Sequence, residues 1–361
     1  MRVLVATDAW RPQINGVVRT YERLFEEVAR QGAEMAFLTP SPFATLPLPS
    51  YPEIRLAMVS EGSVEDFYRR IRPDFIHIAT EGPIGFRTRS WCLRQGHPFT
   101  TSYHTRFPDY ISARLPVPQS WGYAAQRWFH NSGAGTMVAT PSMAAFLEQR
   151  GFRRLLPWSR GVDTEMFQPR GPHGSSAGPV FLYVGRVAVE KGIETFLDLD
   201  LPGSKVVVGD GPLLDQLRRR YPKVRFTGPK FDAELAAEYA AADVFVFPSR
   251  TDTFGIVLLE AMASGVPVAA FPVTGPIDVV HHGETGILGE DLRAAALAAL
   301  KLDRAQVRRH AMSFSWTACA KMFLDNVVAA NRDAGHAPVG RRTLSSPRFD
   351  EETDGKPGTE Y

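Results

Sequence analysis

Cysteine is scarce in this chain, with only Cys92 and Cys319 in 361 residues. The two lie far apart and show no ligand spacing. That excludes a disulfide scaffold and a cysteine metal cluster and is what reduced thiols in a cytoplasmic protein predict. No apolar run approaches the ~20 residues that cross a bilayer. The opening apolar stretch, Val3 to Ala6, is closed by Asp8 and is too short for a signal peptide. An excess of one charge is also missing. Lys and Arg number 41 against 39 Asp and Glu, a net of +2, which does not point to nucleic acid. Lysine is absent from residues 1–168, where 19 Arg face 15 acids. A mildly basic first half suits an anionic surface. Finally, no G-x-G-x-x-G follows the first apolar run, so a dinucleotide site, and with it a dehydrogenase, is disfavoured.

What is present is a repeating alternation of short apolar runs and helical periodicity. The length favours two domains, and 44% hydrophobic residues supply two cores. In the first half, strands are expected at Val3–Ala6, Met35–Leu38, Phe75–Ile78, Phe99–Tyr103, Thr136–Thr140 and Leu155–Ser159. The Pro-rich stretch Pro40–Pro52 reads as a surface loop. Residues 169–179 are a linker by composition. Strands then restart at Val180–Val184, Val206–Val208, Val224–Phe226, Val244–Phe247 and Val266–Ala270. A last helix is expected from Phe314, and 335–361 reads as a disordered tail.

The chain is organised around Phe247 to Val268, a strand end, a polar loop, a helix from Ile256 to Ala263 and a new strand. Asp252 stands in the loop and Glu260 in the helix. Between them a helix start offers free N–H groups and a positive dipole end, a place for an anion. Taken alone, Asp252 is explained as a cap and Glu260 as a solvated side chain. The apolar neighbours of Glu260 argue otherwise, because a carboxylate among them needs a partner. Two carboxylates flanking an anion site match a molecule with hydroxyls at both ends and phosphates between, the layout of a nucleotide-sugar. Asp198-Leu199-Asp200 imitates a D-x-D metal motif but falls at a helix end, and reads as a decoy.

This stretch resembles the E-x7-E signature of the retaining glycosyltransferases of family 4, which have the GT-B fold. Asp252 stands where that family more often has Glu. The form Thr251-Asp252-Thr253-Phe254-Gly255 is similar to a bacterial and plant subgroup acting on glycerolipids or phosphatidylinositol, with lipid glycosyltransferases, GDP-mannose-dependent α-mannosyltransferases and sulfoquinovosyltransferases among them. Further resemblances are Asn15-Gly16-Val17, His104-Thr105, Ser159-Arg160-Gly161-Val162-Asp163, Gly185-Arg186 with Glu190-Lys191-Gly192, and Gly209-Asp210-Gly211-Pro212. Together they span about residues 1–330.

The resemblance implies two Rossmann-like α/β domains facing across a cleft. An acceptor-side domain is expected at 1–168 and a donor domain at 180–313, with a helix at 314–334 crossing back to the first. Transfer breaks the bond between sugar and diphosphate, so the growing negative charge needs cations. Arg186 and Lys191 are expected to supply them, Arg as a fork and Lys as a point charge. The catalytic group is expected to be His104, Arg186, Lys191 and Asp252. The donor is expected to meet Gly16, Arg186, Lys191, Asp210, Lys230, Asp252, Phe254, Gly255, Ile256 and Glu260. Asn15, Arg19, Arg106 and Tyr110 are expected on the acceptor side. Neither a metal nor a cofactor is called for, since the nucleotide-sugar, a UDP-sugar or GDP-mannose, is a co-substrate. Retention of configuration is implied by the family and not by any spacing.

The expected acceptor is a membrane lipid such as diacylglycerol or phosphatidylinositol, reached by peripheral attachment to the inner face of the cytoplasmic membrane. Ile111 to His130 carries Trp121, Tyr123, Trp128 and Phe129 beside Arg114 and Arg127. Such a stretch is either an interfacial anchor or ordinary core. The competing readings are a transferase with a soluble or polysaccharide acceptor, a GT-B nucleotide-sugar epimerase, and an inactive sugar-nucleotide-binding protein.

Overall fold

Every residue from Val3 to Ala6 is buried, so this strand has no solvent face and must be covered on both sides. In the computed structural model it lies inside a six-stranded sheet. The spatial order is Glu34–Leu38, Arg2–Ala6, Phe75–Ile78, Thr100–Tyr103, Gly135–Val138 and Leu155–Pro157. All neighbours are parallel. A second six-stranded sheet runs Arg225–Gly228, Ser204–Val208, Val180–Val184, Val244–Phe247, Val268–Ala270 and Gly286–Leu288, again all parallel. The structure describes residues 1–335 apart from 12, 14, 49–50, 113–115 and 171–177, and not the side chains of 48 and 51–54. The expected tail from 336 onward, the middle of the linker and Arg114 lie outside the described residues.

In the second sheet, growth of the sheet reverses between Val180–Val184 and Val244–Phe247. Such a switch point leaves a crevice beyond the carboxyl ends of the two strands, where parallel sheets hold ligands. The loops carrying Arg186, Lys191 and Asp252 leave these same two strands. The backbones crowd beside the switch point, where the ends of Val180–Val184 and Ser204–Val208 meet. A Cβ on Gly209, whose φ is +140°, would lie 1.9 Å from the Gly185 carbonyl oxygen. Glycine at this turn is therefore demanded by the approach of two strand ends.

The Pro-rich stretch is not the loop expected. Thr45–Leu48 and Tyr51–Ala57 pair as an antiparallel ribbon, with Thr45 opposite Ala57 and Leu46 opposite Leu56. A two-stranded ribbon is all edge, and edges tolerate proline because no ladder N–H is lost.

The last helix, Trp316–Asp333, begins two residues after Phe314, which packs against the second domain's core instead. Ser315 caps it by accepting from the Ala318 N–H. The helix crosses back to the first domain. Cys319, Phe323 and Val327 join Val3, Val5 and Trp158 in one buried cluster, and the Trp158 indole donates to the Cys319 carbonyl at 3.2 Å. No described helix is long and apolar enough to cross a membrane.

Candidate active site

Lys191 ends a short 3-10 turn, Val189–Lys191, and Gly192 follows it with φ +62°. A Cβ on Gly192 would sit 2.8 Å from the Pro248 carbonyl, so this loop lies directly against the Asp252 loop. The Lys191 ammonium reaches Asp252 Oδ1 at 2.5 Å, and both side chains are mostly buried. Burial pulls the Lys191 pKa down, yet the Asp252 carboxylate together with Tyr110 and Tyr183 outweighs it, and the group is held above its ordinary value. Asp252 Oδ2 is buried and has no hydrogen-bond partner among the described residues. A buried carboxylate oxygen without a donor calls for one, such as a ligand hydroxyl. Arg186, five residues before Lys191 in the same loop, has its Nε 4.0 Å from Glu190 Oε1. The loops leaving the two strands thus bring two cations, Arg186 and Lys191, and two acids, Glu190 and Asp252, to the switch point, ahead of the Ile256–Ala263 helix.

Glu260 lies inside that helix, and only 4% of it is exposed. Its Oε2 accepts from the Tyr239 hydroxyl at 2.9 Å and its Oε1 from Arg19 at 3.2 Å. Burial raises its pKa above the usual carboxylate value, against the pull of Arg19 and Tyr239. Arg19, expected toward the acceptor, thus reaches from the first domain to a buried acid of the second.

His104 follows the Thr100–Tyr103 strand at its carboxyl end. Its Nδ1 faces the Arg160 guanidinium at 3.2 Å and its Nε2 faces the Tyr21 hydroxyl at 3.3 Å. Arg can only donate, so Nδ1 is the acceptor and the neutral ring carries its proton on Nε2. Burial, with Arg160 next, drives the His104 pKa well below its ordinary value. Both ring nitrogens are engaged within the first domain. The His104 carbonyl accepts from the Thr253 hydroxyl at 2.8 Å, next to Asp252.

The remaining expected residues divide. Burial raises the Tyr110 pKa above its ordinary value, with Lys191 and Asp252 the main charges acting on it, so Tyr110 lies near the cation–acid pair. Gly16 begins the Gly16–Arg30 helix and faces Ile256, whose Cδ1 would lie 3.7 Å from a Cβ there. Gly255, with φ +83°, sets the start of the Ile256–Ala263 helix. Asn15 is a cap, its Oδ1 accepting from the Val17 and Val18 N–H groups, both at 3.0 Å. Arg106 is held by both oxygens of Asp109, at 3.1 and 2.9 Å, which neutralises it within its own turn. Phe254 is buried and sets its ring edge-on to Phe314, so only its backbone can meet a ligand. Asp210 accepts from the Gly211 N–H at 2.7 Å, and Lys230 lies 3.3 Å from Glu234. Neither reaches the Lys191–Asp252 pair. No group of three or more His, Cys, Asp or Glu among the described residues is arranged to hold a metal ion.

Arg160, Tyr21 and Tyr239 were not singled out for the site from sequence. Their contacts join residues 56, 83 and 21 positions apart, and no local spacing reports them.

The aromatic stretch splits by face. In the Gln119–His130 helix, Tyr123 and Phe129 are core, whereas Trp121 is 71% and Trp128 57% exposed. Trp128 lies over the Arg89 guanidinium at 3.6 Å, with the exposed Phe86 stacked beside it.

Residues 14–166 match the profile described as Glycosyltransferase Family 4, and residues 178–303 that described as Glycosyl transferases group 1. The GDP-mannose-dependent alpha-mannosyltransferase of Mycolicibacterium smegmatis is 30% identical over 95% of this chain and 99% of its own length. The alpha-monoglucosyldiacylglycerol synthase of Streptococcus pneumoniae is 26% identical over 75% of this chain and 71% of its own. Among solved structures, the sucrose-phosphate synthase of Thermosynechococcus elongatus superposes with a TM-score of 0.71 at 22% identity. It covers 90% of this chain and 97% of that one.

Proposed function

Since the chain belongs to glycosyltransferase family 4 and is a nucleotide-sugar-dependent hexosyltransferase of GT-B fold, we propose that it retains configuration, needs no metal and transfers to a membrane lipid. The observation that carries this reading is the buried Lys191–Asp252 pair with an Asp252 oxygen left without a donor. The donor's diphosphate lies against Lys191 and Arg186. The sugar hydroxyls take the open side of Asp252, and the ribose hydroxyls take Glu260. As the bond from the anomeric carbon to the β-phosphate oxygen breaks, negative charge grows on the phosphate, and the two cations stabilise it where a metal otherwise would. The acceptor hydroxyl attacks on the same face, and its proton passes to the departing phosphate oxygen. His104, neutral and fixed by Arg160 and Tyr21, shapes the sugar pocket.

The lipid acceptor is supported by the exposed Trp121, Arg127 and Trp128 of one helix, a combination suited to a lipid–water interface. It is supported too by the glycolipid, monoglucosyldiacylglycerol, in the name of the pneumococcal relative. The donor is a UDP-hexose, a UDP-hexuronate or GDP-mannose. Product analysis tests the reading. The protein is incubated with membrane lipid extract and radiolabelled UDP-glucose, UDP-glucuronate or GDP-mannose in turn. Label in an organic-soluble glycolipid with the α configuration is expected. Label confined to water-soluble products would overturn the lipid acceptor and leave the transferase.

A further inference from the structure

Glu260 is almost wholly withdrawn from water, and the ribose hydroxyls proposed to bind it are neutral. A buried carboxylate needs a cation to remain charged. Around Glu260 the choices are few. Tyr239, from the Asp232–Ala240 helix, donates a neutral hydroxyl. Arg304 and Arg308, from the helix packed alongside, donate to main-chain carbonyls of Ala242, Thr164 and Phe167. His310 bonds the Val279 carbonyl, and Asp278 is taken by Ser142. On the facing helix of the first domain, Arg23 pairs with Asp163 and Glu26. Arg19, 241 residues away in sequence, is the cation that touches Glu260 among the described residues.

We infer that Arg19 is a donor-site residue supplied by the first domain, the counter-ion that keeps Glu260 a carboxylate while it holds the ribose. This rests on the reading of Glu260 as the ribose ligand. It follows that the nucleotide half of the site is complete only when the two domains face each other. Burial pushes the Glu260 carboxyl up, and Arg19 is the larger of the two influences that oppose it. Without Arg19 the carboxyl titrates at higher pH, and below that point the ribose loses its charged acceptor.

The test is calorimetry with UDP-glucose and GDP-mannose, whose diphosphates do not titrate between pH 5.5 and 8.5. Wild type, Arg19→Met, Arg19→Gln, Arg19→Lys and Glu260→Gln are compared across that range. For Arg19→Met and Arg19→Gln the affinity is expected to fall by about tenfold for each unit below the shifted pKa and to recover as pH rises. Arg19→Lys should follow wild type, and Glu260→Gln should be weak at every pH. Wild-type affinity with a flat profile in both neutral Arg19 variants, while Glu260→Gln is weak, overturns the inference alone. So does a loss that ignores pH, because Arg19 would then act on the donor directly. Unchanged affinity in Glu260→Gln overturns the ribose reading itself.

Discussion

The Thr253 hydroxyl of the second domain donates to the main-chain carbonyl of His104 in the first, at 2.8 Å. Thr253 follows Asp252, and Asp252 holds Lys191, so one short bond ties the orientation of the first domain to the cation–acid pair. Lys191→Ala is therefore expected to strike turnover more than binding. Steady-state rates should fall by about 10²-fold or more, the usual effect of removing a stabiliser of transition-state charge. Nucleotide affinity should change far less. A variant whose kcat stays within a few-fold of wild type would remove Lys191 from the catalytic group.

Chelation supplies a second check. With Arg186 and Lys191 carrying the charge of the leaving diphosphate, activity is expected to survive millimolar EDTA. Loss of turnover on chelation, restored by a divalent ion, would refute the metal-independent reading.

The membrane face can be tested without disturbing the fold, because Trp121 and Trp128 are exposed and their neighbours Tyr123 and Phe129 carry the packing. Extracting a lipid costs about 0.8 kcal/mol per CH₂ exposed to water, so docking on the bilayer is the less costly route. The wild type is expected to sediment with liposomes containing anionic lipid, less so at high salt. The Trp121→Ser, Trp128→Ser double variant should sediment less while binding nucleotide normally. Equal sedimentation of the two proteins would reject this face.

Asp8 predicts a pH dependence of stability. Burial raises its pKa from 3.8 to about 6, although Ile84, Gly85 and Thr80 all donate to it. A folded pKa above the unfolded one favours the folded state when the group is protonated. That contribution is full below pH ~4 and is lost as pH rises to about 6. The total is on the order of 2–3 kcal/mol. Urea midpoints of the wild type should fall between pH 4.5 and 7 relative to those of Asp8→Asn, which lacks this titration. Parallel midpoints would show that the three donors cancel the burial.

Much of the architecture could be read from the chain because parallel strands buried on both faces announce themselves as short apolar runs. The loops of the candidate site were legible for a related reason: Asp252, Gly255, Ile256 and Glu260 lie in one contiguous stretch. What stayed hidden is what joins the domains. Arg19 and Glu260 are far apart in sequence, and the sign of a charge does not say which of two facing surfaces it serves. Asn15 and Arg106 read from sequence as acceptor-side groups, because a sequence does not show that a helix start and Asp109 already engage them. The proline ribbon was missed because proline marks loops and edge strands alike.

The helix Trp316–Asp333 closes the cluster around Val3, Val5 and Trp158, yet it is made after the whole second domain. During synthesis the first domain must therefore wait, its apolar groove open, until the whole second domain has emerged and the helix returns to fill it. Chains halted before residue 316 are expected to bind hydrophobic dyes and to be held by chaperones, whereas the longer chain is released. The order of manufacture, and not only the finished contacts, makes the two ends of this protein one folding unit.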